Sequence, residues 1–233
     1  MAADPPLPQQ TRARLTFDQF QFHCQSYLNR RDSLRSTPSA SEARTLSWLT
    51  YAQDWTYLPP IHPNSPAFYP TACLHRSFPF LTSPTAAHDQ EELLEEPTLD
   101  PSEANPEVRE LVTITQSITW SSVWQLPILY FYASDSSGQP LGLEQIKEVN
   151  IIYRRQTLPS EGGEVVGGGV SVGDHPRNGL PVFYLHPCET EGALYTLLRQ
   201  EQGEGGMQER QEGWRYMAAF ISLCASAVEM RAS

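Results

Sequence analysis

From Leu111 to Trp120 the chain alternates without a slip. Val112, Ile114, Gln116, Ile118 and Trp120 hold one set of positions, and Thr113, Thr115, Ser117 and Thr119 hold the other. A period of two, rich in β-branched residues, is the signature of a strand. A short link, Ser121 to Gln125, separates it from Pro127-Ile-Leu-Tyr-Phe-Tyr-Ala133, a second and more apolar strand. Whatever else the chain does, it is organised around a sheet in this middle stretch.

Helical signals lie at both ends. Thr16 is placed to cap a helix whose apolar stripe is Phe17, Phe20, Cys24, Tyr27 and Leu28, closed by Arg30 and Arg31. Residues 1–14 read as a disordered tail and 32–43 as a linker. Glu191 to Gln200 repeats the helical pattern through Ala193, Leu194, Leu197 and Leu198. After a polar loop to Gly213, Trp214, Met217, Ala218, Ile221, Cys224 and Val228 mark a last helix. Helix, strands and helices in that order predict an α+β fold: an N-terminal helix on one face of a mostly antiparallel sheet of about four to six strands, with C-terminal helices beside it.

Further strands are expected within Leu46–Tyr57, at Val149–Arg155 and at Leu180–Leu185. Asp135 to Gly138 supplies a turn, and Leu143 to Val149 a short helix or turn. Ten of the twenty prolines fall between Pro59 and Pro106, which disfavours a long helix or central strand there. The end of that segment, Asp89 to Glu110, holds nine carboxylates and one basic residue, so 60–110 is expected to be a Pro-rich acidic insertion in a single domain over 15–231. Glycines crowd 160–179, but their spacing fits neither a phosphate loop nor a dinucleotide fingerprint, and the segment reads as loop.

Charge and patterning remove several classes. A net charge of −11 with sixteen basic residues argues against nucleic acid or an anionic membrane as the main partner. No window approaches the ~18 apolar residues of a membrane span. The N-terminus, Met1-Ala-Ala-Asp-Pro-Pro-Leu-Pro, lacks a basic segment followed by an apolar one, so a cytoplasmic location and reduced thiols are expected. Cys24, Cys73, Cys188 and Cys224 form no Cys-x-x-Cys pair, and neither a metal nor a cofactor is expected.

One thiol stands apart by context. The apolar strand Leu180–Leu185 runs into His186-Pro187-Cys188, and a helix begins soon after. Proline stiffens the corner and holds His186 extended, so the thiol emerges on a rigid bend with free helix N–H groups close by. That is the setting a thiol nucleophile needs. A buried, inert cysteine is the alternative at this point.

The run from Asp174 to Thr190, around His186-Pro187-Cys188, resembles the active-site segment of the autophagy ubiquitin-like conjugating enzymes. Gln125 to Ala133 and Gly138 to Ile146 resemble that family's strand and following segment, and the helix from Trp214 resembles its C-terminal helix. These matches cover 111–150 and 174–231 in the family's order; 60–110 and the Gly-rich loop are unmatched. The resemblance implies a ubiquitin-conjugating-enzyme-like fold and a Cys188 thioester. Glu189-Thr190 after the cysteine is similar to the branch that transfers its modifier to a lysine of a protein, whereas the sibling branch transfers one to phosphatidylethanolamine.

By the same resemblance, the modifier is autophagy-related protein twelve, the activating enzyme autophagy-related protein seven and the acceptor autophagy-related protein five. The site is cytoplasmic, with recruitment to the forming autophagosome membrane but no stable membrane anchoring. His186 is the candidate oxyanion donor, with holding the loop as its structural alternative. Tyr130 and Tyr132 are candidates for orienting the acceptor lysine, with core packing as theirs. Two other classes remain open on residues alone: a cysteine peptidase or thiol hydrolase pairing Cys188 with His23, His62, His75, His88 or His175, and a non-catalytic interaction module. The single lysine, Lys147, against fifteen arginines reads as compositional bias.

Overall fold

In the computed structural model the described residues are 13–36, 54–61, 72–82, 110–153, 169–188, 190–200 and 213–231. Six strands form one sheet: β1 (Thr56–Leu58), β2 (Cys73–Leu81), β3 (Leu111–Ser121), β4 (Leu126–Ser134), β5 (Val170–Asp174) and β6 (Pro181–Leu185). Their order is β1-β2-β3-β4-β6-β5, and every pair is antiparallel. The helices are α1 (Phe17–Ser36), α2 (Leu143–Glu148), α3 (Thr190–Gln200) and α4 (Trp214–Cys224). α1 packs on α4 and α4 on α3, over one face of the sheet. The α+β architecture expected from the order of elements is the one found.

Local chemistry explains the boundaries. Thr16 Oγ1 accepts from the Gln19 N–H at 3.2 Å while Gln19 Oε1 accepts from the Thr16 N–H at 2.8 Å, a reciprocal cap for α1. The helix does not stop at Arg30-Arg31. It continues to Ser36 because Leu34 keeps the stripe of Phe20, Cys24 and Tyr27 buried for two more turns. Ala13 and Arg14, expected in a loose tail, are fixed: the Ala13 carbonyl accepts from Tyr216 Oη at 2.6 Å, and Arg14 grips Glu191.

The sheet differs from expectation at its edges. The strand sought in Leu46–Tyr57 is only Thr56–Leu58, and Leu46 to Gln53 lie outside the described residues. Within 60–110 the chain contributes a full strand, β2, despite Pro79. Pairing with β1 ends at Thr56↔His75, so among the described residues the outer side of β2 is an edge at Pro79, where proline is tolerated. Residues 83–109 lie outside the description, and Thr82 and Glu110 at their ends are hydrogen-bonded to each other. Within the Gly-rich segment, Val170–Asp174 is the edge strand β5; 160–168 are not described. No strand forms at Val149–Ile152 beyond a single bridge, Ile152↔Val228. Val228 therefore lies past the end of α4, in a C-terminal segment laid against that bridge.

The helix-facing side carries Leu74, Phe78, Val112, Ile114, Ile118, Leu129, Phe131 and Ala133, all buried. Two polar residues share this face, Arg76 and Gln116. Gln116 Oε1 accepts from Arg76 Nε and Nη2 at 2.9 and 2.7 Å, and Gln116 Nε2 donates to the Glu229 carbonyl at 2.7 Å. Arg76 Nη2 also donates to the Met230 carbonyl at 2.6 Å, and its guanidinium lies 4.4 Å from the Trp55 ring centre and 4.8 Å from that of Phe78. Burial lowers the Arg76 pKa to about 10, so the group remains charged at neutral pH. Arg76 and Gln116 thus join β2 and β3 to the C-terminal segment. Arg76→Met is expected to cost roughly 2–4 kcal/mol, because buried carbonyl acceptors lose a charged donor. Urea unfolding of the two proteins checks this.

Candidate active site

The β5–β6 ladder carries the chain to the site. Its last backbone bond runs from the His186 N–H to the Gly169 carbonyl at 3.1 Å. The chain turns at Pro187, and Cys188 follows on the surface. The corner is fixed locally. His186 Nδ1 accepts from the Cys188 N–H at 3.3 Å, and the Pro187 carbonyl accepts from the Thr190 N–H at 3.1 Å as α3 begins. With Nδ1 accepting, the neutral ring carries its proton on Nε2, which makes that nitrogen a donor. The edge of Trp124 meets the ring at 5.5 Å between centres.

Of the four cysteines, Cys188 is exposed and the other three are buried. Burial raises the thiol pKa of Cys24 and of Cys224 far up, and that of Cys73 to about 11.

Three elements converge on this corner. The β3–β4 hairpin turns through Ser121–Gln125, with Gln125 at φ 56 and Trp124 39% exposed at its tip. The residues before α1 bind that turn: the Leu15 N–H donates to the Gln125 carbonyl at 2.7 Å, and Trp120 Nε1 donates to the Leu15 carbonyl at 2.9 Å. Arg14 Nε then bonds both carboxylate oxygens of Glu191 in the first turn of α3, at 3.1 and 3.0 Å. Trp124 and the Arg14–Glu191 pair were missed in the sequence. The only cue was an aromatic residue in a turn where polar ones prevail.

The two tyrosines stand elsewhere. Tyr130 pairs with Tyr184 across β4 and β6, four residues short of Cys188, and Tyr132 lies two residues further along β4. At ~3.3 Å per residue, Tyr130 is about 13 Å back along the strand direction. Both point to the face opposite the helices and line a cavity of about 280 Å³ with His75, Ser117, His175 and Arg177. The histidines weighed as bases for a hydrolase do not reach the thiol corner. His75 sits on β2 with Nδ1 2.9 Å from Ser117 Oγ, and His175 touches Tyr130 edge-on at 5.4 Å. His23 is 2.8 Å from the Gly213 carbonyl and stacks on Tyr216. His62 and His88 lie outside the described residues. A Cβ at Gly213 would fall 2.5 Å from Cε1 of the exposed Phe22 ring, which would have to shift to admit it.

With this geometry in view, the family can be stated. The chain belongs to the family whose model is described as "Autophagocytosis associated protein, active-site domain", which matches residues 8–232. Over 120 residues it is 32% identical to the human protein named ubiquitin-like-conjugating enzyme ATG10, covering 51% of this chain and 50% of that one. The Arabidopsis thaliana protein of the same name is 30% identical over 114 residues, 49% of this chain and 48% of its own. Autophagy-related protein 3 of Dictyostelium discoideum is 25% identical over 129 residues, 54% and 34% respectively. The chain spans about half the length of the ATG10 relatives it matches. Among the described residues, no helix is long and apolar enough to cross a membrane.

Two measurements check the site. Iodoacetamide on the native chain should modify Cys188 alone, read by peptide mass spectrometry; equal labelling of Cys24, Cys73 or Cys224 would contradict the burial described. His175 provides a pH test. Burial first, then the charges of His75 and Arg177, lower its pKa to about 4. The unfolded chain, with histidine near the usual ~6.5, binds the proton first, so stability from this group is present above pH ~6.5 and lost as pH falls toward 4. An imidazole NMR titration should place His175 well below the usual ~6.5 of a free histidine.

Proposed function

We propose that this protein is a ubiquitin-like conjugating enzyme that carries a modifier as a Cys188 thioester and passes it to a lysine of an acceptor protein. The observation that carries the reading is that one cysteine in four is exposed, and that it is the one in the turn after β6 with a histidine bonded to its backbone. Family membership and the names of the human and Arabidopsis relatives support the same class.

The chemistry has two steps. Cys188 sulfur attacks the carbonyl carbon at the modifier's C-terminus, held as a thioester on an activating enzyme. A new C–S bond forms, the old one breaks, and the activating enzyme's thiolate leaves. In the second step a neutral lysine amine attacks the same carbonyl. The tetrahedral oxyanion collapses, the bond to Cys188 breaks, the amide forms, and the amine's surplus proton is lost. His186 Nε2–H is the proposed donor to that oxyanion, with its ring held by the Cys188 N–H at one end and Trp124 at its side.

Tyr130 and Tyr132 were candidates for orienting the lysine. They stand back along β4, and the proposal keeps them as residues that orient the acceptor lysine on its approach. The modifier, activating enzyme and acceptor are proposed as autophagy-related proteins twelve, seven and five, meeting in the cytoplasm at the forming autophagosome membrane. Residues 60–110, outside β2, are proposed as an insertion in a single catalytic domain.

Two variants separate the steps. Cys188→Ser should accumulate a thiol-resistant ester and transfer nothing. His186→Ala should slow discharge to lysine by ~10²-fold, in the range of one lost oxyanion donor, while charging slows far less. Single-turnover gels read both rates, and equal slowing of the two steps would remove His186 from the oxyanion role.

A further inference from the structure

The segment just before α1 is pinned on both sides of Arg14. The Ala13 carbonyl accepts from Tyr216 Oη of α4 at 2.6 Å. The Leu15 N–H donates to the Gln125 carbonyl at 2.7 Å, and the Leu15 carbonyl accepts from Trp120 Nε1 at 2.9 Å. Ala13 and Leu15 are both buried. The backbone of Arg14 is therefore held by α4, by β3 and by the β3–β4 turn. Its side chain leaves that anchorage for α3. Nε lies 3.1 and 3.0 Å from the two carboxylate oxygens of Glu191, and Nη2 lies 3.0 Å from Oε2.

The turn that carries Cys188 has two ends. At the β6 end the His186 N–H bonds the Gly169 carbonyl, which belongs to the sheet. At the other end the Thr190 N–H bonds the Pro187 carbonyl, so this side of the turn goes wherever the first turn of α3 goes. Helix α3 is seated on α4 with Leu194 buried between them, and apolar contact has no direction of its own. A guanidinium meeting a carboxylate through two nitrogens sets both a distance and an angle. With the side chains 41% and 28% exposed, the pair adds little to the stability of the whole fold. What it supplies is a direction, at the residue next to Thr190.

We propose that Arg14 is a positioning residue for the Cys188 site: by gripping Glu191 it fixes the first turn of α3, and with it the turn that carries the sulfur, against the β3–β4 hairpin. It touches no reacting atom and acts through the corner. Its effect on transfer rests on the thioester reading of Cys188; its effect on the corner does not.

The experiment compares the full-length wild-type chain with Arg14→Ala, Arg14→Lys, Glu191→Gln and the Arg14→Ala/Glu191→Gln pair, by amide hydrogen exchange and by single-turnover gels. In Arg14→Ala the Thr190 amide should exchange at least about threefold faster, while the His186 amide keeps its wild-type rate. Charging and discharge of Cys188 should slow alike, each by roughly threefold to tenfold, because the sulfur itself is displaced. That separates Arg14 from His186, whose loss falls on discharge. Arg14→Lys keeps the charge without the fork and should lose less than Arg14→Ala. The double variant should be no slower than Arg14→Ala alone, since the two residues work as one unit. Glu191→Gln, an isosteric change, gives the same exchange and rate test if Arg14→Ala does not fold. Unchanged Thr190 exchange, faster exchange with wild-type transfer rates, or additive losses in the double variant would overturn the proposal. If the wild-type chain forms no thioester, the reading of Cys188 falls, and Thr190 exchange alone decides whether Arg14 holds the corner.

Discussion

One backbone N–H, that of Cys188, decides how the sheet gives way to the site. The last described β5–β6 bond runs from the His186 N–H to the Gly169 carbonyl; by the alternation of an antiparallel ladder the next donor on that side is the Cys188 N–H, and it goes to the His186 ring instead. The chain turns at Pro187, and this thiol stands in solvent while Cys24, Cys73 and Cys224 are enclosed. The corner would still wander without local bonds. The Cys188 N–H closes on His186 Nδ1, and the Pro187 carbonyl receives the Thr190 N–H, so one short turn sets both the histidine ring and the start of α3. Exposure and rigidity at the same place follow from one turn and its two hydrogen bonds.

The rest of the molecule holds that corner in place. β6 is registered on β4 through Tyr130↔Tyr184 and Phe131↔Phe183, and β4 on the long β3, so the position of Cys188 is inherited from the centre of the sheet. At the other end, Arg14 clasps Glu191 while Leu15 binds the hairpin turn, which links the start of α1, the turn and α3 around the thiol. Beneath, Arg76 and Gln116 bond the final residues of the chain to β2 and β3. A guanidinium in the core costs desolvation, but its acceptors are fixed carbonyls and its faces lie on Trp55 and Phe78.

Where the sequence carried periodicity, it could be read. The alternation from Val112 to Trp120 and the stripe from Phe17 to Leu28 each correspond to an element found. The context of His186-Pro187-Cys188 pointed to the thiol, because proline's effect is local. What failed was decided over long range. β2 was obscured by the surrounding prolines, and among the described residues β1 does not extend alongside Pro79. β5 was hidden among glycines, where Gly173 lets the Tyr184 ring pass at 3.1 Å from where a Cβ would be. Gln116 stood among the apolar positions of its strand and Arg76 in a stretch read as insertion, and only tertiary packing provides their partners. The cavity around His175 joins residues from β2, β3, β4 and the β5–β6 turn, a juxtaposition that no short window of sequence contains.

The central claim is that the sulfur delivered by this corner accepts a protein's C-terminus. The most direct measurement is intact mass spectrometry of the wild-type chain incubated with the activating enzyme, the modifier and ATP, with and without thiol reductant. The account predicts a single adduct of chain plus modifier minus one water, mapped to Cys188 and released by reductant. An unmodified chain alongside a fully charged activating enzyme, or an adduct on any other residue, would contradict it.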